Sequence, residues 1–195
     1  MAWTTPRTWV VGEIVTAAIQ NTHVRDNLRT LYPDYGTTLP GSPYDSKEAI
    51  LVDSITDPTY RWHLRYNNAS TSSYKWECIG GGWWVTPVEQ IFQANITTYQ
   101  FTTATVTVGH SGLYEAVVHS RLVDGSVPGS GLYTIGVNGT ADDTYAGLST
   151  GAGLWVFAHR TFTAGDVLSV AYRVTVGSVT SRTTPNIFLK PVRIS

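Results

Sequence analysis

The chain has 195 residues, of which 42% are hydrophobic and only 14% charged, and its net charge is −1. The length suits one medium domain or two small ones with a real core, and the charge content is well below the ~25% usual in soluble domains. No basic patch is present to offset the counterion cost of binding nucleic acid, and no apolar run nears the ~20 residues of a membrane span.

The start, Met1-Ala2-Trp3-Thr4-Thr5-Pro6-Arg7, lacks the basic-then-apolar build of a signal peptide. The lone Cys78 cannot form an internal disulfide or build a cysteine metal site. Both features lead to the expectation of folding in a cytoplasm. Residues 1–13 read as an extended arm. Pro6 disfavours helix at Thr5, and Gly12 interrupts the run. Trp3 and Trp9 have no local apolar partner, so they either fold back onto the protein's own core or anchor in a partner's pocket.

Residues 14–31 carry the one helical pattern. Ile14, Asn21 and Leu28 fall at a positions of a heptad, and Ala17, Val24 and Leu31 at d positions. A single Asn at an a position is a device for setting register and oligomer state. The alternative is an amphipathic helix packed on its own domain. A helix this short is marginal in isolation and has to dock on something. Tyr32-Pro33 ends it.

A small β-meander is expected next. Glu48 to Asp53 reads as a strand. Tyr60 to Tyr66 alternates, with Tyr60, Trp62, Leu64 and Tyr66 on one face and Arg61, His63 and Arg65 on the other. Tyr74 to Ile79 alternates again, so the aromatic faces should meet across a hairpin. Gly80-Gly81-Gly82 then marks a hinge or a close approach. The remainder reads as a β-sandwich, with strands at Thr103–Val108, Leu113–Leu122, Leu132–Val137, Gly153–Phe162, Val167–Val176 and Ile187–Ile194. Asn138-Gly139 and Ala164-Gly165-Asp166 supply turns. Leu154 to Phe162 is apolar on both faces, which makes that strand a candidate subunit interface.

No catalytic or metal constellation stands out. None of the five histidines (His23, His63, His110, His119 and His159) has chelating spacing on one helix. His119 and His159 lie in strands and can meet across a sheet. Asp142-Asp143 can offer oxygen ligands to Ca²⁺, but no glycine-spaced calcium loop surrounds them. Asp53 and Asp57 are read in the same way, as solvated turn residues. The stretch 147–153 is glycine-rich but has neither a phosphate-loop ending nor a nucleophile elbow. No carboxylate pair of the glycosidase kind is evident. No cofactor is implied.

Two resemblances add to this reading. The segments Ala2-Trp3-Thr4-Thr5-Pro6-Arg7-Thr8-Trp9 and Asn21-Thr22-His23-Val24-Arg25-Asp26-Asn27-Leu28 resemble the start of small tail or fibre proteins of phages that infect actinobacteria. Trp62-His63-Leu64-Arg65-Tyr66 and Tyr74-Lys75-Trp76-Glu77 are similar to the module that follows it there. Together these cover roughly the first 85 residues. The fragments Ser111-Gly112-Leu113-Tyr114, Phe162-Thr163-Ala164-Gly165-Asp166-Val167-Leu168 and Ile187-Phe188-Leu189-Lys190-Pro191-Val192-Arg193-Ile194 resemble the tumour-necrosis-factor and complement-type jelly roll, which implies a trimer.

The expectation is a mainly β chain in three parts. Residues 1–38 form a virion-anchoring arm (Trp3, Pro6 and Trp9) and a trimerising helix (Ile14, Ala17, Asn21, Val24, Leu28 and Leu31). Residues 39–85 form a meander collar, and 86–195 a jelly-roll-like sandwich. The expected function is that of a non-enzymatic, homotrimeric minor tail or short-fibre protein of a phage virion. It would be assembled in the host cytoplasm, contact other virion proteins of the tail or capsid, and bind host-surface glycan or protein. A capsid decoration or head-fibre protein is the alternative, and a polysaccharide depolymerase the third class.

Overall fold

The computed structural model describes residues 8, 10–25, 32–87, 90–92, 98–103, 105–120, 130–145, 147–149, 154–176, 181–183 and 186–195. The chain divides into two compact units, 1–81 and 82–195.

The first unit opens with a turn around Gly12, whose φ is +84°, and the Glu13 N–H donates to the Val10 carbonyl at 3.1 Å. Helix α1 follows at Ala17–Gln20. Thr16 caps it, its Oγ1 accepting from the Ile19 N–H at 3.3 Å and satisfying one orphan donor of the first turn. The helix then loosens into a π-turn over Asn21–Arg25. The expected 14–31 helix is therefore corrected at its start. Ile14 precedes the cap, beside β-branched Val15 and Thr16 that disfavour helix, and it is 83% exposed. Ala17, Asn21 and Val24 lie on helical backbone, but a π-turn bonds i to i+5 and breaks the three-four spacing of a heptad. Leu28 and Leu31 lie outside the described residues, as do Trp3, Pro6 and Trp9.

The rest of this unit is a sheet ordered β1-β2-β3-β4, formed by Asp34–Gly36, Glu48–Val52, Arg61–Tyr66 and Trp76–Gly81. Strands β2, β3 and β4 make the expected antiparallel meander. The alternation of β3 is realised as burial: Trp62 and Leu64 are inside, Arg61 and Arg65 outside. Tyr60 stacks on Trp62 with ring centroids 3.9 Å apart, and Tyr66 meets Trp76 edge-on at 5.3 Å across the hairpin. Gly81, at φ +110°, is a close approach, since a Cβ there would lie 2.1 Å from the Arg61 carbonyl oxygen. Strand β1, parallel to β2, was not legible in the sequence. Buried Lys47 secures the chain entering it, with its Nζ 3.2 Å from Asp34 Oδ1 and donating to the Tyr32 carbonyl at 3.0 Å.

The second unit contains β5 Trp84–Pro87, β6 Gln90–Phe92, β7 Gln100–Phe101, β8 Val106–Thr107, β9 Gly112–Ser120, β10 Ser130–Val137, β11 Thr140–Ala141, β12 Gly147–Ser149, β13 Leu154–Phe162, β14 Val167–Val176, β15 Ser181–Thr183 and β16 Asn186–Ile194. One of its sheets runs β5-β16-β9-β13. In the other, β14 pairs with β7 and β8 on one side and with β10 on the other, and β10 carries β11 and β12. Strands β6 and β15 form a ladder of their own. The chain crosses between sheets from β9 to β10, from β12 to β13, from β13 to β14 and from β14 to β16, which is jelly-roll-like connectivity.

Alternation builds the core between these two sheets. Tyr114, Ala116, Val118, Val156, Ala158, Phe162, Ile187 and Leu189 come from the first sheet, and Tyr133, Ile135, Leu168, Val170 and Tyr172 from the second, all buried. At its margin Arg160, from the inner side of β13, pairs with Asp142, which follows β11. Asn138 and Gly139 both take positive φ, at 51° and 76°, as a two-residue type I′ hairpin requires. The expected strand 103–108 is shorter than its pattern. Thr102 N–H donates to the Val170 carbonyl at 3.0 Å, and Thr102 Oγ1 accepts from the Val170 N–H at 3.0 Å, so a side chain replaces a rung of the ladder.

Burial holds the His110 imidazole below its ordinary value of 6.5, with a hydrogen bond to the Ser195 backbone acting in the opposite direction. The folded state thus prefers neutral His110. Its stabilisation is intact above pH 6.5, and the loss sets in as pH falls through 6.5 towards the folded value, because the unfolded chain takes up the proton first. Urea midpoints measured at pH 7.5 and 5.0 should therefore fall on acidification, and His110→Gln should narrow the gap between them. An unchanged gap in the variant would remove His110 from the acid response.

Candidate binding face

The register of the β5-β16-β9-β13 sheet sorts its outer side chains into rows that cross the strands. One row runs Val85, Phe188, Val117, Phe157, because Val85 is opposite Phe188, Phe188 opposite Val117, and Val117 opposite Phe157. The next row towards one edge is Lys190, Glu115, His159, and the row on the other side is Asn186, His119, Trp155. An apolar stripe thus crosses four strands, with a charged row on one flank and a polar-aromatic row on the other.

The stripe has a buried centre and exposed ends. Val117 is 4% exposed, whereas the end residues Phe157 and Val85 are 69% and 43% exposed, and Trp155 in the flanking row is 51% exposed. Trp155 is held between two rings, with His119 at 4.2 Å and Phe188 at 5.5 Å. Trp83 lies beside Lys190, whose Nζ is 5.9 Å from the indole centroid, a cation–π contact. Between Trp83 and Phe157 the face is concave. A groove of about 520 Å³ is lined there by these two rings with Glu115, Val117 and His159. On the outer side of the other sheet, by contrast, Thr134, Ser169 and Ala171 are buried within the chain.

Four of the groups weighed for chemistry, Asp142, Asp143, His63 and Asp53, have been drawn into structural pairs. Asp142 is paired with Arg160, and Asp143 accepts from the Tyr99 hydroxyl. Burial, reinforced by that bond to Asp143, pushes Tyr99 up to about 12. Arg173 lies over the Tyr99 ring at 4.8 Å. His63 Nε2 is 2.8 Å from Glu48 Oε2 across β2 and β3. Asp53 accepts from the Thr59 N–H at 2.8 Å in its turn. His119 and His159 share a face but do not meet, because His119 is opposite Trp155 and His159 opposite Glu115. Among the described residues no group of three or more His, Cys, Asp or Glu could hold a metal ion. Sequence reasoning singled out β13 but missed Trp83, Val85, Glu115 and Phe188. The signal for Glu115 and Phe188 was present in the alternation of β9 and β16, but which strands are neighbours is not written in either.

No family model matches the chain, and no curated protein does. These two comparisons give no support to the resemblance of the first 85 residues to phage proteins. Among solved structures, the globular domain of zebrafish complement 1qA protein is similar over 58% of this chain and 99% of its own, at 12% identity and a TM-score of 0.33. A family 35 carbohydrate-binding module from Clostridium thermocellum is similar over 54% of this chain and 98% of its own, at 16% identity and the same TM-score of 0.33. Likenesses this slight carry no argument, and the reading of this chain rests on its own geometry.

Proposed function

We propose that the protein is a non-enzymatic structural component of a bacteriophage particle, a homotrimeric minor tail or short-fibre protein. Its N-terminal segment contacts other virion proteins, and its sandwich unit presents a surface to host glycan or protein. The observation that carries this reading is the aromatic face of the β5-β16-β9-β13 sheet, a surface suited to contact rather than to a reaction. Among the described residues its one carboxylate–imidazole neighbour pair, Glu115 and His159, lies on exposed strand positions, without the enclosure that excludes water from an active site. The resemblance of the first 85 residues supplies the phage context.

Gold-labelled antibody against the chain, applied to intact particles, tests the assignment. Label at the tail tip in a few copies supports the tail reading, and label over the head in hundreds of copies supports capsid decoration instead. Unlabelled particles sink both. If the sandwich unit binds the host, particles lacking the protein should adsorb at least tenfold less; normal adsorption removes the host-binding role.

A further inference from the structure

We infer that the groove between Trp83 and Phe157 is a binding site for a quaternary ammonium group, of the trimethylammonium kind that choline-type headgroups carry. The inference rests on the contact-surface reading above and names the chemistry that one part of that surface takes.

The lining sets the sign of the charge. Trp83, Phe157 and Val117 supply the apolar part of the groove, and Glu115 and His159 the polar part. Both rings are open to solvent, Trp83 at 37% exposure. Glu115 is exposed too, and among the described residues its carboxylate has no hydrogen bond or ion pair. Lys190 is its cross-strand neighbour on β16. The Lys190 ammonium, however, lies over the Trp83 ring at 5.9 Å, and Lys190 does not line the groove. An aromatic ring is negative over its face, so the walls and the carboxylate act with one sign on the same space. A cation complements both of them, and an anion complements neither.

The supply of acceptors sets the kind of cation. A primary ammonium brings three N–H donors that need acceptors. Glu115 is the one carboxylate in the lining, and β9 is paired on both sides, so its backbone carbonyls are taken by the ladders. A trimethylammonium group has no N–H to satisfy. It buries its methyl groups against Trp83 and Phe157 and keeps its charge beside Glu115, which is how aromatic-walled sites hold such groups. The volume fits as well, since about 520 Å³ lies within the ~300–1,000 Å³ usual for small-molecule sites.

The test follows the tryptophan indole N–H signals of the isotope-labelled full chain by nuclear magnetic resonance, with the Trp83 signal assigned from Trp83→Phe. Choline is titrated at constant ionic strength against its neutral analogue, in which carbon replaces the charged nitrogen, and against ethanolamine, its primary-ammonium counterpart. Choline should shift the Trp83 signal to saturation, and each of the other two should bind about fivefold more weakly, the factor expected of a solvent-exposed cation–π contact. Glu115→Gln, which keeps the shape of the side chain, should weaken choline binding, and Lys190→Met, which removes the ammonium beside Trp83, should tighten it. The comparison of ligands uses the wild type and so does not depend on the folding of any variant. Equal affinity for choline and its neutral analogue, tighter binding of ethanolamine, a Trp83 signal that ignores choline, or choline affinity unchanged in either variant would each overturn the inference. A Trp83 signal that answers to an uncharged methyl hexoside and not to choline would overturn it in favour of a sugar. Particle adsorption reads the host-contact role separately. Adsorption that needs the protein, with a groove blind to choline, would remove this site and leave that role standing.

Discussion

Gly112→Ala is expected to cost the chain at least about 3 kcal/mol of stability, the upper end of the range for overpacking. Gly112 opens β9, opposite Phe162 on one side and Ile194 on the other. A Cβ there would lie 2.2 Å from the Arg193 carbonyl oxygen and 2.8 Å from Ile194 Cα. Both obstacles are backbone, so no change of rotamer relieves them. The cause is the register shift between Pro191 and Arg193, which pulls β16 across the start of β9. To admit the methyl group that irregularity must open, or the ladder must slip, and a slip of one residue turns every side chain to the wrong face. Urea unfolding followed by circular dichroism measures the effect. With a slope of ~1–3 kcal/mol per molar, the midpoint should fall by about 1–3 M. Gly109→Ala is the control: nothing lies within 4 Å of its Cβ, so its midpoint should hold or rise slightly. Equal midpoints for the two variants would refute the close approach.

Phe162→Ala should cost about 3–5 kcal/mol, as deletion of a fully buried aromatic ring does. Phe162 is 1% exposed. Its ring lies 5.9 Å from Tyr114, and the Arg160 guanidinium stands 5.3 Å from its centroid. Removing the ring leaves a cavity between the sheets and takes away the surface on which the Arg160–Asp142 pair rests. Phe157→Ala, on the same strand, is the informative partner. Five positions along a strand puts it on the opposite face. Its urea midpoint should shift by no more than about 0.5 kcal/mol equivalent. If the two substitutions cost the same on unfolding, Phe157 is not on the outer face.

These two phenylalanines also show how far the sequence could be read. The alternation of β13 was plain in Leu154 to Phe162, as was the fact that both of its faces are apolar. Alternation separates two faces, but it does not name the inner one. The same holds for the meander: Trp62 and Leu64 were correctly grouped against Arg61 and Arg65, and Trp76 faces them across the hairpin, because local polarity there decides the side. The helix was harder. The three-four spacing from Ile14 extended past the Thr16 cap, and the spacing of apolar residues carries no sign of a π-turn at Asn21–Arg25. The short strand β1 was invisible, because its hold is a long-range contact from Lys47 to Asp34 and Tyr32 rather than a pattern in 34–36.

The sequence by itself determined the β class, most of the long strands, the Asn138-Gly139 hairpin and the close approach near Gly81, because each follows from interactions among residues near in the chain. The tertiary structure alone decided which strands are neighbours. Pairing β16 between β5 and β9, from opposite ends of the unit, brings Val85, Phe188, Val117 and Phe157 into one stripe, with Lys190, Glu115 and His159 beside it. Those residues are spread over more than a hundred positions, from Val85 to Lys190, and no periodicity within a strand can state a register between strands. The candidate site is a property of that register, and for that reason the sequence showed one strand of it and the fold showed the face.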